Sequence, residues 1–300
     1  MDAIPSNLID KIFLIHGSEG RAWVNSIQEK IRQCEAKWSL EVFTPFENLS
    51  YNYVAPGRTP DGNDLVLKLG IPNGEISKEL EALQLFSGPG AVEVIEHELE
   101  IGAILLQRLS PGKPLSTIAD DEQATSIASE VMRQLRREVP VNHNFNSISD
   151  LLEGFERLRN KFGGSTGPFR SDLVSEAESL AADLVSGARK EVLLHGDLHQ
   201  DNILFDTNRS WVAIDPKGLV GDAEYEIGAF LRNLCSAFNS SDRDLIKRCL
   251  YLFSKELQFD PQKVRGWALV HSVLSAWWCF EDEFYVNRQA IRCAQILSEV

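Results

Sequence analysis

A short polar segment interrupts the helical second half of the chain, and it constrains the fold more than any other feature. Apolar periodicity after residue 112 predicts helices at residues 121–138, 148–162 and 171–186. Between residues 192 and 214 the pattern changes to two very short strands, 203–205 and 211–214, joined by a polar turn. Helices then resume to the end of the chain. A hairpin with charged residues at its ends is unusual in this setting, and a chemical role explains it better than packing does.

Before residue 110 the pattern predicts a small antiparallel sheet with helices. One helix is amphipathic over residues 22–36, and a second runs to Gly88. Strands are predicted at residues 40–46, 49–55, 65–69, 91–96 and 102–109. The turn signal Ser110-Pro111-Gly112 separates this part from the helical part. We therefore predict an α+β protein with two domains, residues 1–109 and residues 110–300.

The composition is typical of a soluble globular protein, with 43% hydrophobic and 25% charged residues in a chain of 300. The longest apolar runs are far too short to cross a bilayer, and residues 1–7 lack the basic and apolar pattern of a signal peptide. The five cysteines are widely spaced and odd in number, which favours reduced, buried thiols over disulfides or a zinc site. We therefore expect a cytoplasmic protein without a membrane partner.

The formal net charge of −14 limits the class of partner. Nucleic acids and anionic membranes are bound by clustered Lys and Arg, so the charge argues against both. A cationic or polar small molecule fits better, although an acidic balance is also a common solubility feature.

The polar segment carries the residues best suited to chemistry. It contains the carboxylate of Asp197 and the amide of Asn202, and Asp215 follows the second strand of the hairpin. Phosphoryl transfer needs a carboxylate that orients the attacking hydroxyl and hard oxygen ligands that hold magnesium on nucleotide phosphates. One such residue alone is more commonly an Asx turn or a helix cap. The complete set at this spacing favours the chemical role.

At these residues the chain resembles the aminoglycoside and hydroxyurea antibiotic resistance kinases, a family of protein-kinase-like phosphotransferases. Three further segments look like the branch that includes streptomycin kinases, namely residues 50–56, 102–115 and 274–278. The resemblance implies that Asp197 is the catalytic base and that Asn202 and Asp215 are ligands of Mg²⁺, with ATP or GTP as co-substrate. It also implies that His195 braces the catalytic loop, while His199 stays open between loop packing and substrate contact.

The resemblance further implies a bilobal fold, in which a small antiparallel-sheet lobe precedes a mainly helical lobe and the nucleotide binds between them. Lys68 lies in the apolar strand 65–69, where a charge must turn to solvent or find a buried anionic partner. By the resemblance, Lys68 pairs with the nucleotide phosphates and a helix glutamate holds its ammonium. Glu79 is favoured for this glutamate, and Glu81 is the close alternative. An exposed lysine on an edge strand is the competing structural interpretation.

The glycine-rich loop that covers the phosphates in many kinases is missing, because residues 49–56 contain no glycine. Asn52 and Tyr53 are candidates for phosphate contact instead, and a plain strand and turn explains them nearly as well. In this fold the nucleotide base pairs with backbone groups of the connector between the lobes. The resemblance places that connector from Gln107 to Leu109.

Two features near the end of the chain have both a structural and a functional interpretation. Asp222 precedes an apolar helix and is well placed as its N-cap. Trp267, Trp277 and Trp278 recur near helical spacing, which favours core positions. With the acidic residues 281–283 close by, the alternative is an aromatic and acidic wall for a cationic ligand.

The resulting prediction is a monomeric kinase that phosphorylates a hydroxyl of a small molecule, with streptomycin-like aminocyclitols as the leading acceptor class. A metabolic kinase for an amino alcohol or a sugar is the nearest alternative. A regulatory module that binds nucleotide without turnover is disfavoured because the catalytic set is intact. A protein-substrate kinase is disfavoured because the chain after Asp215 leaves little room for an activation segment.

Overall fold

The computed structural model describes residues 4–47, 49–187, 190–235 and 242–300. The chain divides into two compact units. The first unit comprises Met1–Ser87 and Val92–Gly112, and the second comprises Gly88–Ala91 and Lys113–Val300. The assignment of residues 1–109 and 110–300 to separate functional domains stays a prediction.

The first unit, in its described residues, is a five-stranded antiparallel sheet with two α-helices. Its elements are α1 (Ser6–Trp38), β1 (Glu41–Val42), β2 (Tyr53–Arg58), β3 (Asp64–Leu69), α2 (Gly74–Phe86), β4 (Val94–Glu98) and β5 (Ala103–Gln107). The strand order is β1-β2-β3-β5-β4, so β3 lies in the middle of the sheet. Lys68 of β3 pairs with Val54 on one side and Ile104 on the other. The edge-strand interpretation of Lys68 is therefore wrong.

Helix α1 is longer than the sequence predicts. The amphipathic segment 22–36 lies in its second half, and a kink at Gly17 (φ 52°, ψ −121°) separates it from an earlier helical segment. Because the kink changes the phase of the apolar periodicity, the earlier segment does not extend the same pattern. Both segments contribute to the core of this unit, through Ile12 and Trp23 among others, and Trp23 Nε1 donates to Gly70 O at 2.8 Å.

Strand β2 also departs from the prediction, because it continues through Pro56 to Arg58, whereas the predicted strand ends at residue 55. Proline has no N–H to donate, but β1 ends before this position and requires no such hydrogen bond. The Pro56 carbonyl accepts from Phe43 N at 2.8 Å, and the turn follows at residues 59–63.

The second unit is mainly helical in its described residues. Its helices are α3 (Asp121–Leu135), α4 (Ile148–Lys161), α5 (Ser171–Ser186), α6 (Ile227–Leu234), α7 (Asp242–Leu257), α8 (Pro261–Glu283) and α9 (Arg288–Ser298). Its strands are β6 (Pro111–Pro114), which starts at the end of the first unit, β7 (Arg137–Glu138), β8 (Asn146–Ser147), β9 (Val192–Leu194), β10 (Ile203–Asp206), β11 (Ser210–Ala213) and β12 (Leu219–Gly221). The hairpin that the sequence predicts is formed by β10 and β11.

A small mixed sheet in the second unit is not apparent from the sequence pattern. Its strand order is β7-β9-β12-β8, with β8 parallel to β12 and the other pairs antiparallel. Its strands are only two or three residues long, too short for an alternating pattern to be recognised. Because β9 precedes the loop with Asp197 and β12 follows Asp215, the pairing of β9 with β12 fixes both ends of the polar segment.

Helix α8 is buried over most of its length and belongs to the core of the second unit. Trp267 and Trp277 are 1% and 2% exposed. The core interpretation is therefore confirmed for these two residues, and the ligand-wall interpretation is wrong for them. Trp278 is half-buried. Within the described ranges, α8 and the other helices lack the combination of length and apolar character that crossing a membrane requires.

Candidate active site

The loop between β9 and β10 carries Asp197, and a glycine determines its course. Gly196 has a φ of +82°, and a Cβ at this position would lie 2.7 Å from the side chain of Leu219. Only glycine combines this backbone conformation with so close a neighbour. The turn between His195 and Asp197 therefore depends on Gly196.

His195 braces this loop from within and is 1% exposed. Its Nε2 donates to Ile214 O at 2.8 Å, and its Nδ1 accepts from Asp197 N at 3.3 Å. Burial lowers the pKa of His195 to about 4, so the ring is neutral at pH 7 and serves as donor and acceptor at once. These hydrogen bonds are those of the bracing role that the resemblance implies.

Glu226 is a second brace, and sequence reasoning missed it. Its carboxylate accepts from His195 N at 2.6 Å and from Gly196 N at 2.9 Å. Loss of hydration raises the pKa of this buried carboxyl to about 7, although the backbone hydrogen bonds oppose the shift. Its signal in the sequence is an ionisable residue directly before the apolar run 227–231, where burial requires polar partners.

Asn202 and Asp215 lie at the two ends of the hairpin. Ile214 N donates to Asn202 O at 2.9 Å, so Asp215 follows directly after this hydrogen bond. The Asn202 Nδ2 donates to Asp197 O at 3.0 Å, which leaves the side-chain oxygen as the amide's acceptor. The loop and hairpin thus bring the three residues that the sequence predicts as one set into the same part of the second unit.

The donor atoms of Asn202 and Asp215 suit magnesium. Among the residues that the structure describes, no group of three or more His, Cys, Asp and Glu side chains is placed to hold a metal ion. An amide oxygen and a carboxylate are hard ligands, however, and magnesium usually binds through one or two protein groups together with substrate phosphates and water. Two protein donors therefore fit such an ion.

Two cations flank the Asp197 carboxylate, and the sequence pattern predicts neither of them. Lys217 Nζ lies 3.6 Å from Oδ2, and Arg232 Nη2 of α6 lies 3.9 Å from Oδ1. Burial by itself would raise the pKa of Asp197, but Lys217, His199 and Arg232 together hold it below its usual value. The carboxylate is therefore ionised at neutral pH.

His199 stabilises the turn that presents Asn202. Its Nδ1 accepts from Asp201 N at 3.2 Å, and its carbonyl accepts from Asn202 N at 3.0 Å. Asp201 in turn accepts from Ser116 Oγ at 2.5 Å. These contacts favour loop packing over substrate contact for His199.

In the first unit, Lys68 and Glu79 form a buried ion pair. Lys68 Nζ lies 2.6 Å from Glu79 Oε1, and the two side chains are 3% and 9% exposed. A buried ammonium requires such an anionic partner. Glu79 lies among the buried residues of α2, whereas Glu81 is half-buried. Of the two glutamates that the sequence offers, Glu79 makes this contact.

Asn52, directly before β2, and Tyr53, the first residue of β2, have different surroundings. Asn52 is half-buried, and its Oδ1 lies 2.7 Å from the position that a Cβ on Gly70 would take. Asn52 therefore packs directly over a glycine. Tyr53 is 4% exposed and belongs to the apolar core, which favours the plain strand interpretation for this residue.

Gln107 and Leu109, which the resemblance implies as connector residues, lie near the end of the first unit. Gln107 N donates to Glu93 O at 2.9 Å. The N–H of Gln107 is therefore already engaged within the first unit. Leu109 is buried, and its carbonyl oxygen lies 3.0 Å from where a Cβ on Gly112 would be, so the chain turns closely past it.

Asp222 does not act as the N-cap that the sequence predicts. It occupies the cap position of a short 3₁₀ helix at residues 223–226, but its side chain makes no capping hydrogen bond. The carboxylate accepts instead from Lys263 Nζ at 2.9 Å and from Trp267 Nε1 at 3.1 Å. For a buried carboxylate, a charge-assisted contact to a lysine is stronger than capping of a single turn.

Sequence comparisons identify a family for this chain. The pattern of the aminoglycoside/hydroxyurea antibiotic resistance kinases matches residues 41–283. Streptomycin 6-kinase from Streptomyces griseus is 26% identical over 282 residues, which cover 93% of this chain and 91% of that protein. Hydroxyurea phosphotransferase from Kitasatospora aureofaciens is 26% identical over 298 residues, which cover 98% of this chain and 85% of that protein.

The fold is shared with solved structures at lower sequence identity. The structure of choline kinase LicA from Streptococcus pneumoniae aligns with a TM-score of 0.64 at 15% identity and covers 91% of this chain and 98% of that chain. The protein-kinase-like fold predicted from the sequence is confirmed. Because the family pattern spans most of the chain, this protein belongs to the aminoglycoside/hydroxyurea antibiotic resistance kinase family.

Proposed function

We propose that this chain is a kinase that transfers the terminal phosphate of ATP or GTP to a hydroxyl of a small molecule. One observation carries the proposal: a loop and a hairpin hold Asp197, Asn202 and Asp215 together, and neighbouring cations keep Asp197 ionised. Phosphoryl transfer depends mainly on positioning and electrostatic stabilisation, and this arrangement supplies both. Membership of the family supports the same reaction.

Asp197 is the catalytic base in this proposal. Its ionised carboxylate accepts a hydrogen bond from the acceptor hydroxyl and orients the hydroxyl oxygen for in-line attack. Because the transition state is loose, orientation of the hydroxyl matters more than strong basicity, so a low pKa is compatible with the role. His195 and Glu226 hold the backbone around Asp197 and keep its carboxylate in place.

Asn202 and Asp215 are the proposed magnesium ligands. When bound there with the nucleotide, the ion would neutralise negative charge on the transferred phosphoryl group. In the first unit, Lys68 would pair with the nucleotide phosphates while Glu79 orients its ammonium.

Three other residues of the first unit complete the proposed nucleotide contacts. Asn52 is a candidate for phosphate contact, and backbone groups of Gln107 and Leu109 would pair with the base. Contacts through backbone atoms do not depend on the side chains present, so the choice between ATP and GTP is left to measurement.

A streptomycin-like aminoglycoside is the acceptor that we propose. A relative that covers most of the chain is named as a streptomycin 6-kinase, and the net charge of −14 suits a polycationic acceptor better than neutral hydroxyurea. The fold likeness to a choline kinase supports one second candidate, a kinase for a cationic amino alcohol. In either case we propose a cytoplasmic monomer without a nucleic-acid or membrane partner.

The test is nucleotide consumption by the purified protein with magnesium, across streptomycin, other aminoglycosides, hydroxyurea and choline. Streptomycin-dependent ADP release that disappears in Asp197→Ala would support the proposal. Asp201→Asn is the matched control, because it removes a carboxylate charge from the same loop and keeps an acceptor for Ser116 Oγ.

Other outcomes would change the assignment. Turnover with choline but with no aminoglycoside would favour the amino-alcohol kinase. Tight binding of magnesium-nucleotide without turnover on any acceptor would favour a regulatory module.

A further inference from the structure

The two cations beside Asp197 are anchored very differently. The Lys217 side chain is 57% exposed, whereas the Arg232 side chain is 21% exposed. An exposed lysine samples many rotamers, and its attraction to a carboxylate is screened by water. Arg232 is therefore the cation whose position the protein can set.

The guanidinium of Arg232 is held at two of its nitrogens. Its Nε donates to Asn233 Oδ1 at 3.0 Å, and its Nη1 donates to Ser275 Oγ at 3.3 Å. The third nitrogen, Nη2, faces Asp197 Oδ1 at 3.9 Å. Because the guanidinium is planar and rigid, fixing Nε and Nη1 also fixes the direction of Nη2.

Ser275 is itself held within α8 and is 2% exposed. Its Oγ lies 3.4 Å from Nδ1 of His271, one turn earlier in the same helix. His271 is also buried. When its ring is neutral, Nδ1 can accept a hydrogen bond from the Ser275 hydroxyl, while the serine oxygen accepts a hydrogen bond from Arg232. Gly228 of α6 makes room for this ring, because a Cβ there would lie 2.6 Å from His271 Cβ.

We propose that Ser275 is a positioning residue for phosphoryl transfer, which acts through Arg232 to orient the Asp197 carboxylate. The inference rests on the proposed role of Asp197 as the base. Loss of the serine hydroxyl would leave Nη1 without its acceptor and allow the guanidinium to rotate away from Asp197. The carboxylate would then hold the acceptor hydroxyl less well, and small misplacements of this kind are costly in rate.

The test is a double-mutant cycle with kcat and KM measured for ATP, magnesium and streptomycin. We expect Ser275→Ala to lower kcat about tenfold and Arg232→Met to lower it about a hundredfold, with KM for ATP changed less than about twofold. Because Ser275 acts through Arg232, its substitution should have no further effect on kcat in the Arg232→Met background. Arg232→Lys should recover part of the loss, since it restores the charge without the planar fork.

Ser272→Ala is the matched control. Ser272 is another buried serine of α8, but its Oγ donates to Ala268 O at 2.8 Å. Its substitution should leave kcat within about twofold of the wild-type value. Unfolding temperatures of all variants would separate a loss of positioning from a loss of fold.

Two kinetic results would overturn the proposal: a wild-type kcat in Ser275→Ala, or an equal loss with and without Arg232. A crystal structure of Ser275→Ala gives an answer that needs no acceptor. We expect the Arg232 guanidinium to leave its wild-type position, and an unmoved guanidinium would contradict the proposal even if streptomycin is not a substrate. Absence of wild-type turnover would count against the proposed function alone.

Discussion

Both units place a carboxylate beside a cation, but they do so in opposite ways. In the first unit, Lys68 and Glu79 are in contact at 2.6 Å and almost excluded from solvent. In the second unit, Asp197 lies 3.6 Å from Lys217 and 3.9 Å from Arg232, and its side chain is 24% exposed. The first arrangement is a closed pair, in which two desolvated charges are in direct contact. The second is an open cluster, which keeps a carboxylate charged while leaving it within reach of solvent.

The difference teaches what each group can do. The desolvated charges of a closed pair stabilise each other and make the loss of either one costly. A carboxylate that accepts a hydrogen bond from a substrate must stay ionised and must keep an oxygen accessible to that substrate. The closed pair should therefore dominate stability and the open cluster should dominate turnover.

The largest effect is expected from Asp197→Asn. An amide carries no charge and cannot take the proton, so kcat should fall about a thousandfold. The free energy of unfolding should fall by less than about 3 kcal/mol, because both flanking cations lie beyond hydrogen-bonding distance of the carboxylate. Streptomycin-dependent turnover and urea unfolding measure the two quantities. A large loss of stability would show that the cluster is structural and would remove the contrast.

Glu79→Ala should reduce stability more than Asp197→Asn does. It leaves the Lys68 ammonium buried without this carboxylate, which should lower the free energy of unfolding by about 3 kcal/mol. Urea unfolding measures the change, and the half-buried Glu81→Ala is the control, with an expected change below about 1 kcal/mol. Replacing both members, as in Lys68→Met with Glu79→Leu, should recover most of the stability. Wild-type stability in Glu79→Ala would mean that the closed pair contributes little.

The residues proposed to act directly can be predicted from the sequence, whereas the residues that hold them in place cannot. Asp197, Asn202 and Asp215 stand close together in the chain, so their spacing alone predicts a common location. Lys68 stands out because a charge in an apolar strand requires a partner. The kinase-like fold was predicted from the same residues through the family resemblance, and the structural likeness confirms it.

The supporting residues could not be predicted in this way. Glu226 contacts the loop that carries Asp197, 31 residues away in sequence, and Arg232 contacts Ser275, 43 residues away. Glu226 directly precedes the apolar run 227–231 and Arg232 directly follows it, and local periodicity does not specify which distant element either residue contacts. The kink at Gly17 was missed for a related reason, because it breaks the periodicity on which helix prediction depends.

A smaller effect should appear in the pH dependence of stability in the second unit. Burial, and the nearby charge of Arg232, lower the pKa of His271 from 6.5 to about 3. The unfolded chain therefore binds more protons than the folded chain below pH 6.5, and the stability that the neutral ring maintains is lost as the pH falls toward 3. His271→Asn removes this titration. Between pH 7 and pH 5 its unfolding free energy should fall by about 2 kcal/mol less than that of the wild type.

Urea unfolding at the two pH values measures this difference. Comparing the change in unfolding free energy between the two pH values cancels the contributions of His195 and Glu226, because both proteins contain these residues. Equal changes would show that His271 is accessible to protons in the folded state, and the buried contact with Ser275 would then be less rigid than its geometry indicates.

The smallest effect is expected from Lys217→Met. Its ammonium is mostly exposed, so solvent screens the attraction to Asp197 and the loss of kcat should stay below about fivefold. High salt should reduce the difference in kcat between this variant and the wild type, because salt screens exposed ion pairs. The loss of kcat in Arg232→Met should persist at high salt. Turnover at low and high ionic strength measures both. If Lys217→Met loses as much activity as Arg232→Met and salt does not change the loss, Lys217 is as firmly held as Arg232 during the reaction, and the open cluster closes when substrate binds.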